Sequence, residues 1–423
     1  MDTISTSENH SKFSMSQLTR SLGPGIMMAT AAVGGSHLVA STKAGAIYGW
    51  QLVGLVLLVN LFKYPFFRAS VQYTAGTGES LVEGYAKLGH AYLWLFAILN
   101  TICGVVTTAA LLLFSTSLLG YFMPIELPAS TLSSAIVAFC LCILIAGHYK
   151  TLNTVSKAIM AVLIVSTVTA VIIAANNPIE APPSFESPSP WSIAGIGFII
   201  VMMGWMPAPM EISSMTSMWL KSQQDQSKVT AQSALFDFNI GYIGTALLAI
   251  VFLALGALVL HGSDIEFSKS GLGFSHQLVS LYTATIGEWS RYLIATIAFL
   301  CIFGSTITVI DGYSRAISES QRLLQDQNKI NDKVTHIWMI SISLAALSII
   351  IFWASSLMTM LDFAMVIAFI TTPFFALLNF ILVSKSDLPK SLALSKPMKW
   401  LSIIGLIYLF SFLAAFFWWN WLL

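Results

Sequence analysis

Eleven stretches of mostly apolar residues, each long enough for a helix to cross a bilayer, dominate this chain and leave little between them. They lie at roughly 22–42, 47–68, 91–121, 130–147, 155–175, 192–219, 232–261, 286–314, 336–354, 358–384 and 399–421. The hydrocarbon core offers no water to unpaired backbone groups, so segments of this kind form helices that satisfy their own N–H and C=O groups. The expected fold class is an all-α polytopic membrane protein. Only 9% of the 423 residues are charged, against about 25% in a soluble domain. The 20 Lys and Arg against 19 Asp and Glu lack the basic excess that a nucleic-acid partner requires. No intervening segment is long enough to fold alone, and neither Gly-x-Ser-x-Gly nor His-Glu-x-x-His occurs, so an enzyme is not expected. The expected partners are the lipid bilayer and a transported small ion or solute, with no cofactor and no obligate protein partner.

Residues 1–20 are polar and Ser/Thr-rich, without the apolar run of a signal peptide, and are expected to be a disordered cytoplasmic tail. With that tail inside, 17 basic residues, among them Lys63, Lys87, Lys221, Arg322 and Lys385, fall on the inner side, and Lys43, Lys269 and Arg291 fall outside. Cytoplasmic flanks collect Lys and Arg, so the expectation is a cell (inner) membrane protein with its N-terminus cytoplasmic and its C-terminus outside. Cys103, Cys140, Cys142 and Cys301 all lie in apolar runs and are expected as buried small hydrophobes.

Two of the spans cannot continue as plain helices. The first carries Gly34-Gly35-Ser36 and the sixth Met206-Pro207-Ala208-Pro209-Met210. Glycine loosens the backbone and proline removes a donor and clashes with the preceding turn, so both helices should unwind at bilayer depth. The breaks stand about 170 residues apart and each opens a block of five spans, an odd number that inverts the second block against the first. Interrupted helices at matching places in two inverted halves point to a secondary transporter with its site at the repeat interface. The core is expected over 21–385, with repeats at about 21–175 and 191–385, followed by an eleventh helix in 396–423.

Gly23-Pro24-Gly25 opening the first span, Lys43-Ala44-Gly45-Ala46 at its end and Met206-Pro207 in the sixth resemble the Nramp family of divalent metal transporters. The resemblance implies a LeuT-type 5+5 inverted repeat and proton-linked import of a metal cation. It also marks where this chain departs from the family. The family's Asp-Pro-Gly-Asn at the first break falls on Gly34, Gly35, Ser36 and His37, so the metal-binding carboxylate is replaced by glycine and the amide ligand by His37. At the second break the family ligand Met is kept as Met206, the following His becomes Ala208, and the residue whose carbonyl the family uses is Met203. The acidic proton route of the third span has no counterpart in 105–111.

The substrate-binding candidates are therefore Gly34, Gly35, Ser36, His37, Met203, Met206 and Ala208, with His37 and Met206 as metal ligands. Imidazole and thioether suit softer transition metals, so a non-standard preference is expected. Glu211, Asp311 and Asp362 are coupling candidates because acids inside membrane spans are usually functional, while Asp237 and Asp311 also have the simpler reading of capping or pairing with Arg315. An alternative places a small organic solute, driven by Na⁺ or H⁺, on the N–H groups of Gly34-Gly35-Ser36, with Ser305 and Thr306 of the eighth span holding Na⁺.

Overall fold

The computed structural model describes residues 23–147, 149–176, 182, 184–226, 229–263, 267–328, 331–353 and 356–422; the polar tail 1–20 lies outside them. The first span is α1 (Pro24–Ala32), a π-helix (Ser36–Ser41) and α2 (Thr42–Tyr48). Then follow α3 (Val53–Thr77), the short α4 (Leu81–Leu88), α5 (His90–Gly120), α6 (Ala129–Ile145) and α7 (Tyr149–Asn176). The second block opens with the half-helices α8 (Ile193–Trp205) and α9 (Ile212–Gln226), and continues with α10 (Ala231–Val259), α11 (Gly271–Ile286) and α12 (Arg291–Leu324). It closes with α13 (Asp332–Phe352) and α14 (Leu357–Lys385), and α15 (Lys396–Leu422) ends the chain. Among the described residues, seven helices are long and apolar enough to cross a membrane by themselves. With α6, α7 and the two broken helices, they account for the eleven expected spans.

The helix pairs that touch follow the inverted repeat. The first broken helix lies on α10 as the second lies on α3; α6 packs on α5 as α13 packs on α12; α7 meets α1 as α14 meets α8. α5 packs along α12, each being the third long span of its block. Glycines make the closest of these approaches, as expected where no hydrophobic force drives helices together in lipid. A side chain at Gly25 would strike the backbone of Asp237, one at Gly241 the carbonyl of Gly25, and one at Gly204 the carbonyl of Met365. The lipid-facing shell carries large apolar side chains such as Trp400, Ile404 and Ile407 on α15.

Three expectations change. The second span runs over Val53–Thr77 instead of ending near 68, which places Lys63 in mid-helix and fully buried rather than at a cytoplasmic flank. The inner set of basic residues loses that member. The eighth span continues to Leu324, because its last turns are amphipathic and pack on the core. Cys142 is exposed, whereas Cys103, Cys140 and Cys301 are buried, since residues two apart in a helix point in different directions.

Candidate functional site

The N-terminus of α1 is anchored before the first break is reached. The Asp237 carboxylate of α10 accepts from the Gly23 N–H at 3.0 Å and the Gly25 N–H at 2.6 Å. Pro24 between them has no N–H to satisfy, and Gly25 admits the Asp237 backbone. The Gly-Pro-Gly motif thus fits an anionic cap on the positive end of a half-helix, and the capping reading of Asp237 is the geometry observed.

Helix α1 stops at Ala32, and Val33, Gly34 and Gly35 carry the chain into the π-helix. Carbonyls released by the break are claimed by α12: Cys301 Sγ donates to Val33 O at 3.3 Å and the Ser305 hydroxyl to Thr30 O at 3.3 Å. The Thr306 hydroxyl stays with Ile302 O and Ser115 Oγ, so of this pair Ser305 alone reaches the first broken helix. Across from Gly35 lies the six-membered ring of Trp205, so close that a methyl group there would overlap it. The two breaks therefore meet through an indole seated on a glycine.

The Met206–Pro207 peptide is cis, and Met206, Pro207, Ala208, Pro209, Met210 and Glu211 are all buried. Ending α8 at Trp205 leaves its last carbonyls without helical partners. Two of them are taken by the Lys63 ammonium, which donates to Met203 O at 2.8 Å and Gly204 O at 3.2 Å. The Met203 thioether turns away to accept from Tyr408 on α15 at 3.7 Å, so this residue offers the break its carbonyl and not its sulfur. Glu211 Oε1 accepts from the Tyr313 hydroxyl at 2.8 Å, while Oε2 is buried without a hydrogen-bond partner. The Cys103 thiol, 3.3 Å from Thr371 Oγ1, lies beside this carboxylate.

The His37 ring is fully buried and faces α10. Nε2 lies 2.9 Å from Thr245 O, which can only accept, so Nε2 carries the hydrogen. With the hydrogen on Nε2, Nδ1 accepts from the Ser36 hydroxyl at 2.7 Å, and the other neighbour of that hydroxyl is Ala32 O at 2.7 Å. A metal on His37 would have to break one of these bonds. Asp311 pairs with Arg315 at 2.8 Å, the simpler of its two readings. Asp362 is half-exposed and 4.0 Å from Lys43. Among the described residues no three of His, Cys, Asp and Glu gather as a metal cluster. Cation ligands at this site would be backbone carbonyls, the Met206 thioether and the Glu211 carboxylate.

Below the breaks, α4, α9 and α12 are tied by charge. Lys221 donates to both Glu83 oxygens at 2.6 and 2.5 Å, and Arg322 lies 3.7 Å from Glu83 and 2.7 Å from Glu319. Burial pushes the Glu83 carboxyl up, but Lys221 and the Ser80 N–H outweigh it and leave the group below its ordinary value. At the opposite end of α5 a cavity of about 550 Å³ opens among Gly120, Glu126, Ser270, His276 and Ser356. The half-helix α9 is thus tied to α4 and α12 at one end of α5, and a cavity opens at the other.

Sequence reasoning missed Lys63 as a site residue, the Trp205–Gly35 contact and the Tyr313–Glu211–Cys103 group. The one usable signal was the length of the second apolar run, which places Lys63 at its middle.

Comparison with known proteins agrees with this architecture. A profile for proteins described as natural resistance-associated macrophage protein-like, or Nramp, matches residues 25–419. An uncharacterized protein of Pasteurella multocida (strain Pm70) is 48% identical over 416 residues, spanning 98% of this chain and 94% of its own length. Crystal structures of the Eremococcus coleocola manganese transporter, one of a mutant and one with an aromatic bis-isothiourea substituted compound, superpose with a TM-score of 0.71 at 14% identity. They cover 97% of this chain and 88% of theirs, and the fold they share is the LeuT-type inverted repeat with an added eleventh helix. The chain belongs to the Nramp-like family.

Proposed function

We propose that this protein is a secondary transporter that imports a metal cation by alternating access, coupled to protons and with a metal preference shifted from that of the Eremococcus manganese transporter. The reading rests on one observation: two broken helices meet at Gly35 and Trp205, and the second of them carries the buried Met206 and, five residues on, a buried Glu211 oxygen with no hydrogen-bond partner. An unpaired buried carboxylate oxygen is costly, and a cation arriving between the breaks would satisfy it. Gly34 in place of a carboxylate removes the hard anionic ligand that Mn²⁺ and Mg²⁺ favour, and the thioether favours softer ions. The repeats at about 21–175 and 191–385 would move against each other around this point, and the latch at Glu83 would part on the cytoplasmic side. The N-terminus is placed inside, the C-terminus outside and the protein in the cell (inner) membrane, as the basic flanks argue.

A second reading places a small organic anion on the Gly34–Gly35 backbone, travelling with Na⁺ or H⁺. Gly34→Asp separates the two. A cation carrier gains or broadens Mn²⁺ uptake when the carboxylate is restored; a carrier of organic anions loses transport altogether.

A further inference from the structure

The lipid-facing surface is grooved at the end of α5 where the ion pairs around Glu83 lie. α5 and α12 close on each other where Gly104 meets the Tyr313 ring. Nearer the start of α5 the space between them is floored by Ala97 and Ser320, side chains too short to fill it. The resulting groove, about 480 Å³, is walled by Trp94 and Ile98 of α5, Leu324 of α12 and Trp338 of α13. Trp338 is fixed in place by its indole N–H, which donates to Gln321 Oε1 at 2.7 Å. The groove runs onto open apolar surface, because Trp94, Ile98 and Ile102 are 54%, 52% and 45% exposed. An apolar space of this kind excludes water, and left unfilled it forfeits the dispersion contacts of its lining. In a chain that crosses a membrane, the apolar material in contact with such a surface is lipid tails.

The mouth of the groove has the opposite character. His90, exposed, stands one turn before Trp94 on the same face of α5. The N-cap of this 31-residue helix is Gly89, which has no side chain to offer the first N–H groups, and the first turn holds no acid. The positive end of a long helix therefore faces the headgroup level with nothing anionic of its own beside it. Trp94 and Trp338 are of the residue type that gathers at that level.

We propose that this groove holds an acyl chain of a phospholipid from the leaflet at the Glu83 end, with its phosphate at the start of α5, and that the tail braces the last turns of α12. Ser320 and Leu324 stand on one face of those turns, and Glu319 and Arg322 on the opposite one, where Arg322 lies 3.7 Å from Glu83. A tail in the groove backs the helix that the Glu83 contacts must hold. None of this depends on which cargo the protein carries.

An ordinary shell of lipid would touch every exposed helix, so the test asks where tails sit and what they hold. Full-length protein in phosphatidylethanolamine nanodiscs is doped with a phospholipid bearing a diazirine on its acyl chain, irradiated, and its adducts mapped by peptide mass spectrometry. Wild type is expected to take adducts in 94–102 and 317–325 that saturate at a single lipid per chain. Ala97→Phe puts a ring in the groove and should lower them about tenfold. Leu95→Phe, on lipid-facing surface outside the groove, should leave them unchanged. The brace is read from a cysteine placed near the C-terminal end of α9 in a Cys142→Ser background. Stripping lipid with detergent should speed its aqueous maleimide labelling several-fold in wild type, and not in Ala97→Phe, whose ring takes the place of the tail. Each variant is checked for folding by thermal melting, and Thr101→Phe, one turn further along the same face, replaces Ala97→Phe if that fails to fold. Adducts spread evenly over exposed helices such as α15, adducts that never saturate in wild type, or groove adducts undiminished by the added ring would overturn the site. Chain-to-chain crosslinks through the groove would overturn it in favour of a second copy of the protein. Groove adducts with labelling indifferent to lipid would overturn the brace.

Discussion

Replacing Gly35 by alanine should change sign with the identity of residue 205. Gly35 has helical backbone angles, φ −56° and ψ −33°, so alanine fits there without strain and by itself stabilises by about 0.4–1 kcal/mol through the unfolded chain. With Trp205 in place the new methyl overlaps the indole, and overpacking of this kind costs about 1–3 kcal/mol. Gly35→Ala alone is therefore expected to destabilise by roughly 1–2 kcal/mol. Trp205→Ala alone removes a ring that is 2% exposed and should cost about 3–5 kcal/mol. In that background Gly35→Ala meets no ring and becomes neutral or stabilising. The double-mutant cycle should then show a coupling of about 1–3 kcal/mol, measured by reversible unfolding of the purified protein in mixed micelles. Additivity within about 0.5 kcal/mol would mean that the indole does not lie on Gly35, and the two breaks would not meet as described.

Other consequences follow from the same contacts. Asp237→Ala removes the acceptor for two backbone N–H groups and is expected to destabilise by about 2–4 kcal/mol, visible as a lower melting temperature; an unchanged melt would refute the cap. Lys221→Met unties α9 from Glu83, which keeps the Ser80 N–H and Arg322, and should make a cysteine placed near the C-terminal end of α9 react several-fold faster with an aqueous maleimide, whereas an unchanged rate would mean that the latch does not hold α9. The pH dependence of that latch has a definite sign. Because the folded Glu83 carboxyl lies below its ordinary value of 4.5, its contribution is fully present above about that pH and is lost as pH falls through the lowered folded value. Labelling of wild type should thus stay slow at neutral pH and quicken only in acid, while a latch that opened on raising the pH would contradict the assignment.

The spans and both breaks were legible because they depend on local chemistry: twenty-residue apolar runs, paired glycines and paired prolines. Helix α4 was not found by hydropathy, being only eight residues long, although Ser80 and Glu83 form a capping box that could have marked its start. Helix α11 has a similar flag in the Ser270 cap. The site was harder to read. Asp237 stands 212 residues from Gly25 and Lys63 stands 140 from Met203, and no spacing rule links such pairs in one sequence. Lys63 looked like an inner flank because the second helix was ended one turn or more too early, which turned a buried charge into an interfacial one. His37 was legible as a polar residue at a break, but its bonds to Ser36 and Thr245 depend on how α10 packs against the π-helix.

The most direct test of the central claim is ion entry into dye-loaded proteoliposomes containing the wild-type protein, with Mn²⁺, Cd²⁺, Zn²⁺ and Mg²⁺ supplied in turn, with and without a proton gradient. A cation transporter built on Met206, Glu211 and backbone carbonyls predicts saturable entry, with Cd²⁺ or Zn²⁺ ahead of Mg²⁺ and a rate that responds to the gradient. No entry of any of the four ions, with protein shown to be folded and inserted, would contradict it and leave the small organic solute as the cargo to pursue.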